Sequence, residues 1–163
     1  MRILGIDPGY ALVGFGIIDY NNGETKVVDF GVIETTKDLP MPQRLMMIEQ
    51  GLEEIFKTYS PEVVAIEELF YFKNQKTIIP VAQARGVIIN YCFKTCHNLF
   101  EYTPLQIKQA LTGYGRAEKQ QVQYMTKTIL GLEKVPKPDD AADALAVAIC
   151  HSQINFAIND NQI

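Results

Sequence analysis

Apolar and polar positions run along this chain in two rhythms. "RILGID" (2–7) is a short apolar run closed by the turn residues "PGY", and it reads as a buried strand. "ALVGFGIIDY" (11–20) and "TKVVDFGVIE" (25–34) are two more strand patterns around "NNGE", where Asn-Gly is the strongest short hairpin signal. The period then changes. Beyond a polar link over 36–42, Leu45, Ile48, Leu52, Ile55 and Phe56 recur at helical spacing and predict an amphipathic helix over 43–58. "EVVAIE" (62–67) is a further buried strand, followed by the aromatic loop "ELFYFKNQK". A long helix is predicted over 77–97, with Pro80 in the first turn, where a missing N–H is tolerated.

"LFEYT" (99–103) is the next strand, and Thr103 with Pro104 makes a cap and first helical position for "PLQIKQAL". "TGYGRA" reads as a glycine loop, 118–130 as a helix and 139–157 as the last helix. This order predicts one α/β domain over 1–157, with residues 158–163 as a frayed tail. Its mixed five-stranded sheet would be flanked by helices. The first three strands should be antiparallel, with 62–67 and 98–102 parallel beside the first strand.

Composition changes this picture little. At 163 residues and 47% hydrophobic, the chain can bury one sizeable core. Its longest apolar run is broken by Gln83, Arg85 and Asn90, short of the ~20 clean apolar residues of a membrane span. No signal pattern opens the chain, and three cysteines without a CxxC pair fit a reducing, cytoplasmic location. Cys92, Cys96 and His97 share one helix, but without a fourth ligand nearby they read as core thiols. The 77–97 helix is apolar nearly all round, more than one sheet face should bury, so a second copy of the chain is a candidate cover.

Charge is more informative. The net charge of −4 argues against a basic nucleic-acid binder, yet the charge is unevenly spread. Residues 1–70 carry 5 basic and 12 acidic side chains, whereas 71–163 carry 10 basic and 7 acidic. A local basic face built from Lys73, Lys108, Arg116 and Lys119 is therefore compatible with an acidic whole.

The acids raise the functional question. In "KPDDAADALAVAI" (137–149), Asp139 suffices as a helix cap, which leaves Asp140 and Asp143 on one helical face. Asp7 and Glu67 end two predicted buried strands, and ligands of α/β sheets gather at carboxyl strand ends. Four carboxylates without His or Cys suit Mg²⁺ or Mn²⁺. Such a set could hold two ions ~4 Å apart, as phosphodiester cleavage requires.

"GIDPGYALVGFGI", "VVAIEELFYFKN", "AQARGV", "YTPLQIKQALTGYGRAEKQQVQ" and "PDDAADALAVAICH" together resemble the successive motifs of the RuvC family of Holliday junction resolvases, from about residue 2 to 152. The resemblance implies a ribonuclease H-like fold, a homodimer and Mg²⁺-dependent symmetric nicking of four-way DNA junctions, in recombination and repair. Two ions per subunit are implied, with Mn²⁺ as a substitute. On this resemblance the catalytic, metal-holding acids are Asp7, Glu67, Asp140 and Asp143. The motifs favour Glu67 and Asp140 over their neighbours Glu68 and Asp139. DNA-contacting lysines fall on Lys108 and Lys119, and a junction-probing aromatic on Phe70. A RuvA–RuvB branch-migration complex is a further partner that the family suggests.

Three rivals remain at this point. A related nuclease of hybrids or structured RNA shares the same acids, and a junction binder without catalysis would not need them. A sugar-kinase or actin-like ATPase needs two such subdomains and far more chain.

Overall fold

The computed structural model describes residues 1–68, 77–154 and 161–163. Its five strands are β1 (Arg2–Asp7), β2 (Leu12–Asn21), β3 (Glu24–Glu34), β4 (Val63–Glu67) and β5 (Leu99–Tyr102). Its helices are α1 (Met41–Tyr59), α2 (Ile78–Cys96), α3 (Pro104–Thr112), α4 (Lys119–Ile129) and α5 (Asp139–Gln153). The strands form one sheet in the order β3-β2-β1-β4-β5. β1, β2 and β3 are antiparallel neighbours, and β4 runs parallel to β1.

The hairpin turns where Asn-Gly predicts it: Asn22 and Gly23 both have positive φ, as a tight turn between twisted strands demands. One expectation needs correction. β5 pairs with β4 and lies one strand away from β1, because β4 already occupies that edge of β1.

Alternation along the strands sorts the core into two layers. Leu4, Ile6, Val13, Ile17, Val64 and Ile66 meet α1 and α2 through Ile48, Leu52, Ala84 and Ile88. Ile3, Ile18, Ala65 and Tyr102 meet α3, α4 and α5 through Ile107, Val122, Leu145 and Ile149. The Ala-rich α5 crosses this second face so closely that almost every residue from Ala141 to Ser152 is buried. A Cβ on Gly5 would lie 2.1 Å from the Ala144 carbonyl oxygen, and one on Gly14 2.0 Å from that of Asp140. Gly16 likewise admits Leu145, so the sheet offers α5 a groove of missing side chains.

Two terminal details also differ from expectation. α5 stops at Gln153 rather than 157, since Ile154 is already extended, and 155–157 fall outside the described residues. Of the expected tail 158–163, residues 161–163 are described, and these are paired rather than frayed. Gln162 bridges Phe100, the Ile163 N–H donates to Leu99 O and the Glu101 N–H to Asn161 O. Pairing with the otherwise open edge of β5 satisfies those backbone groups.

Candidate active site

β1 and β4 run in parallel, so Asp7 and Glu67 arrive at the same end of the sheet. Ile3, Gly5 and Asp7 alternate onto the α5 face of β1, and Val63, Ala65 and Glu67 do so on β4. Asp7 is opposite Gly14 in the antiparallel ladder, and Gly14 is where the backbone of Asp140 presses on the sheet. The missing side chain at Gly14 therefore sets the distance between α5 and the end of β1. One turn along α5, Asp143 is half-buried amid alanines.

Electrostatics register the crowding. The Asp7 carboxyl is held well above the ordinary carboxylate range, first by burial and then by the charges of Glu67, Asp143 and Asp140. It also shares a hydrogen bond with Glu67. Burial raises Asp143 as well, against the pull of the Lys119 ammonium. Lys119, the first residue of α4, donates from Nζ to Asp143 Oδ2 at 2.8 Å and lies 3.5 Å from Asp139 Oδ2. Burial lowers its affinity for a proton, but the two aspartates outweigh this and leave the ammonium more basic than usual.

The doublets separate in space. Glu68 follows the strand end, where alternation turns it towards α2, and its charge acts on the Arg85 guanidinium, which also binds Glu101. Asp139 accepts from Lys137 at 2.6 Å, and that bond holds its carboxyl below the usual range. The reading of Asp139 as the helix cap is corrected: Pro138 is the N-cap, and Asp139 is the first helical residue with no side-chain capping bond. An acid still suits that first turn through the helix dipole.

The remaining candidates are more scattered. Lys108 is half-buried on α3, and Arg116 is exposed in the turn before α4. Phe70 and Lys73 lie outside the described residues. Arg44 escaped sequence reading. It is buried on the core face of α1, where Nε donates to Thr35 Oγ1 at 2.8 Å and Nη2 to Tyr10 O at 3.2 Å. Its guanidinium also stands over the Tyr10 ring at 4.7 Å, so it pins the turn that directly follows Asp7. The signal was in the sequence: Arg44 precedes Ile48 by one helical turn on the apolar stripe.

The four acids fit a hard divalent cation by their all-oxygen donor set and by the like charges that burial forces together around Asp7. Among the described residues no group of three or more such side chains is already closed to metal-ligating geometry. Asp143 is instead engaged by Lys119.

A mixed five-stranded sheet covered by helices on both faces, with acids at the ends of two central strands, defines a ribonuclease H-like α/β domain. The family profile "Crossover junction endodeoxyribonuclease RuvC" matches residues 3–151, and the chain belongs to that family. It is 57% identical to the crossover junction endodeoxyribonuclease RuvC of Caldicellulosiruptor saccharolyticus, over 93% of this chain and 92% of that one. The Fusobacterium nucleatum relative is 51% identical over 99% of this chain and 87% of its own. Among solved structures, T. thermophilus RuvC in complex with Holliday junction substrate superposes with a TM-score of 0.92 at 31% identity, covering 100% of this chain and 99% of that one. The yeast mitochondrial Holliday junction resolvase Ydc2, 15% identical with a TM-score of 0.69, shares the fold.

Proposed function

We propose that this chain is a divalent-metal-dependent endonuclease that resolves four-way DNA junctions by paired nicks in strands of like polarity, in recombination and repair. The observation that carries the proposal is the buried Asp7 carboxyl, surrounded by the charges of Glu67, Asp140 and Asp143 at the mouth of β1 and β4. Mg²⁺ held there, two ions in the fullest occupancy and with Mn²⁺ as a substitute, would supply an activated water and charge stabilisation at the leaving oxygen.

The chain's own groups do the remaining work. Asp7 and Glu67 are fixed by the strand ladder, and Asp140 and Asp143 by the close seat of α5, so the donors are held in place before substrate arrives. Arg44 fixes the Tyr10 turn beside Asp7. Lys108, Arg116 and Lys119 lie on α3, the turn after it and α4, where they can meet backbone phosphates, with Lys73 and the junction-probing Phe70 on the segment after β4.

A homodimer would cover the exposed face of α2. Ile79 is 68% and Phe93 48% exposed, and with Ala82, Gly86 and Asn90 they form one helical stripe. Two-fold symmetry would place one site on each of two like strands of the junction. A RuvA–RuvB branch-migration complex is the expected further partner by family resemblance. Incubation with an immobile four-way junction, a linear duplex and an RNA–DNA hybrid, each with and without Mg²⁺, tests the reading. Symmetric nicks confined to the junction and dependent on metal are expected. Equal cutting of hybrid and junction would overturn it.

A further inference from the structure

Lys119 does more in this structure than offer a positive charge to DNA. The capping box between Glu118 and Gln121 fixes the start of α4, and Lys119 reaches from there to α5. Its Nζ bonds Asp143 at 2.8 Å and approaches Asp139 at 3.5 Å, so one ammonium spans two carboxylates that lie one helical turn apart. The side chain is still 54% exposed, and a neighbouring phosphate could therefore reach it. Asp139 is already bonded to Lys137 at 2.6 Å, so it is a contested second seat for Lys119.

We propose that Lys119 is a positioning residue that competes with the divalent cation for Asp143, and that its release couples metal loading to phosphate binding. This rests on the reading of the acids as a metal centre. A carboxylate oxygen that accepts a charge-assisted bond from an ammonium is a poorer metal donor, so the two cations oppose each other at Asp143. When metal takes Asp143, Lys119 loses its shorter bond and retains only the contested contact with Asp139. It then stands at the rim of the site as a weakly held cation facing solvent, suited to a backbone phosphate. Linkage makes the effect reciprocal: phosphate that draws Lys119 away must tighten metal binding by the same factor.

The test is calorimetric titration of the full chain with Mn²⁺ alone, in low salt and without DNA. Lys119→Met should bind Mn²⁺ about two- to fivefold more tightly than the natural chain, the range that one exposed ion pair is worth. Lys137→Met removes an equal charge bonded, among the described residues, only to Asp139, and should leave Mn²⁺ affinity unchanged. The second readout is junction affinity with Ca²⁺ against chelator, where the natural chain should gain more from the ion than Lys119→Met does. Unchanged or weaker Mn²⁺ binding by Lys119→Met, or an equal gain in Lys137→Met, overturns the competition while sparing the metal centre. Mn²⁺ binding by the natural chain no tighter than by Asp7→Asn overturns both.

Discussion

Neighbouring acids on this chain face different surroundings, and substitution should show it. Glu67 is beside Asp7, whereas Glu68 is turned to the Arg85 side of the sheet. Glu67→Gln should lose at least the ~10²-fold in cleavage that follows removal of a transition-state stabiliser. Glu68→Gln should keep its cleavage within about tenfold, the lower edge of supporting-shell effects. On α5, Asp140→Ser should be inactive. Asp139→Ser should lose its exposed ion pairs, worth roughly 0–1 kcal/mol, and stay active. Junction nicking by the four variants, with thermal melts as a folding control, checks this. A dead Glu68→Gln or Asp139→Ser would shift the site by one residue.

Asp7 also carries a pH signature. Its folded-state affinity for a proton is raised above the ordinary value of 3.8, so the native chain binds a proton that the unfolded chain has already lost. Stability from this group therefore falls as pH rises from the ordinary carboxylate range through the raised one. Asp7→Asn has no such liability. In chelator, its melting temperature should match the natural chain's in acid and exceed it increasingly towards neutral pH. Added Mg²⁺ should narrow the gap by stabilising the natural chain alone. A gap that does not change with pH would place the Asp7 charge elsewhere.

At the scale of elements, the seat of α5 decides whether four acids become one site. Gly14→Ala puts a methyl group 2.0 Å from the Asp140 carbonyl oxygen, where backbone rather than a flexible side chain must yield. Overpacking of this kind costs typically 1–3 kcal/mol. Cleavage should fall by more than the melt predicts, because the displaced segment carries Asp140. Denaturant melts and nicking rates of Gly14→Ala, measured together, distinguish this from simple unfolding.

Much of this arrangement could be read from the sequence. Two-residue alternation places Asp7 and Glu67 on one face, and the Ala-rich run after Asp140 announces close helix packing. The misreadings have local causes. A lone Asp before an apolar helix resembles a cap, but Pro138 can serve as the N-cap with backbone alone, which frees Asp139 for lysines. A doublet such as Glu67–Glu68 is resolved only by what packs on each face, and Arg85 lies on a helix that begins ten residues later. The order of two parallel strands depends on which edge is still open, a property no strand carries in its own residues. Buried Arg44 was legible as a break in an apolar stripe, though its partners Thr35 and Tyr10 were not.

For the whole molecule, the exposed stripe on α2 predicts self-association. Phe93→Glu adds a charge at the 48% exposed ring and should shift sedimentation from dimer to monomer with little change in melting. On the proposed reading, the monomer should nick a junction once where a dimer should nick it as a pair, read on a supercoiled cruciform plasmid as nicked circles in place of linear product. A variant that stays dimeric would move the interface to another face.

The groove formed by Gly5, Gly14 and Gly16 also bears on how a mutational screen of this protein would read. None of the three has a functional group, yet each sets the position of the helix that supplies half of the acids. Scored by activity alone, they should be as intolerant as Asp7 or Asp143, so a map of intolerant positions would mark them as chemistry. Scored by abundance, the two groups should part: acid-to-amide changes should accumulate to normal levels, and glycine replacements should be depleted. A screen read both ways would thus outline the proposed centre in two tones, its acids in one and the bare backbone that aligns them in the other.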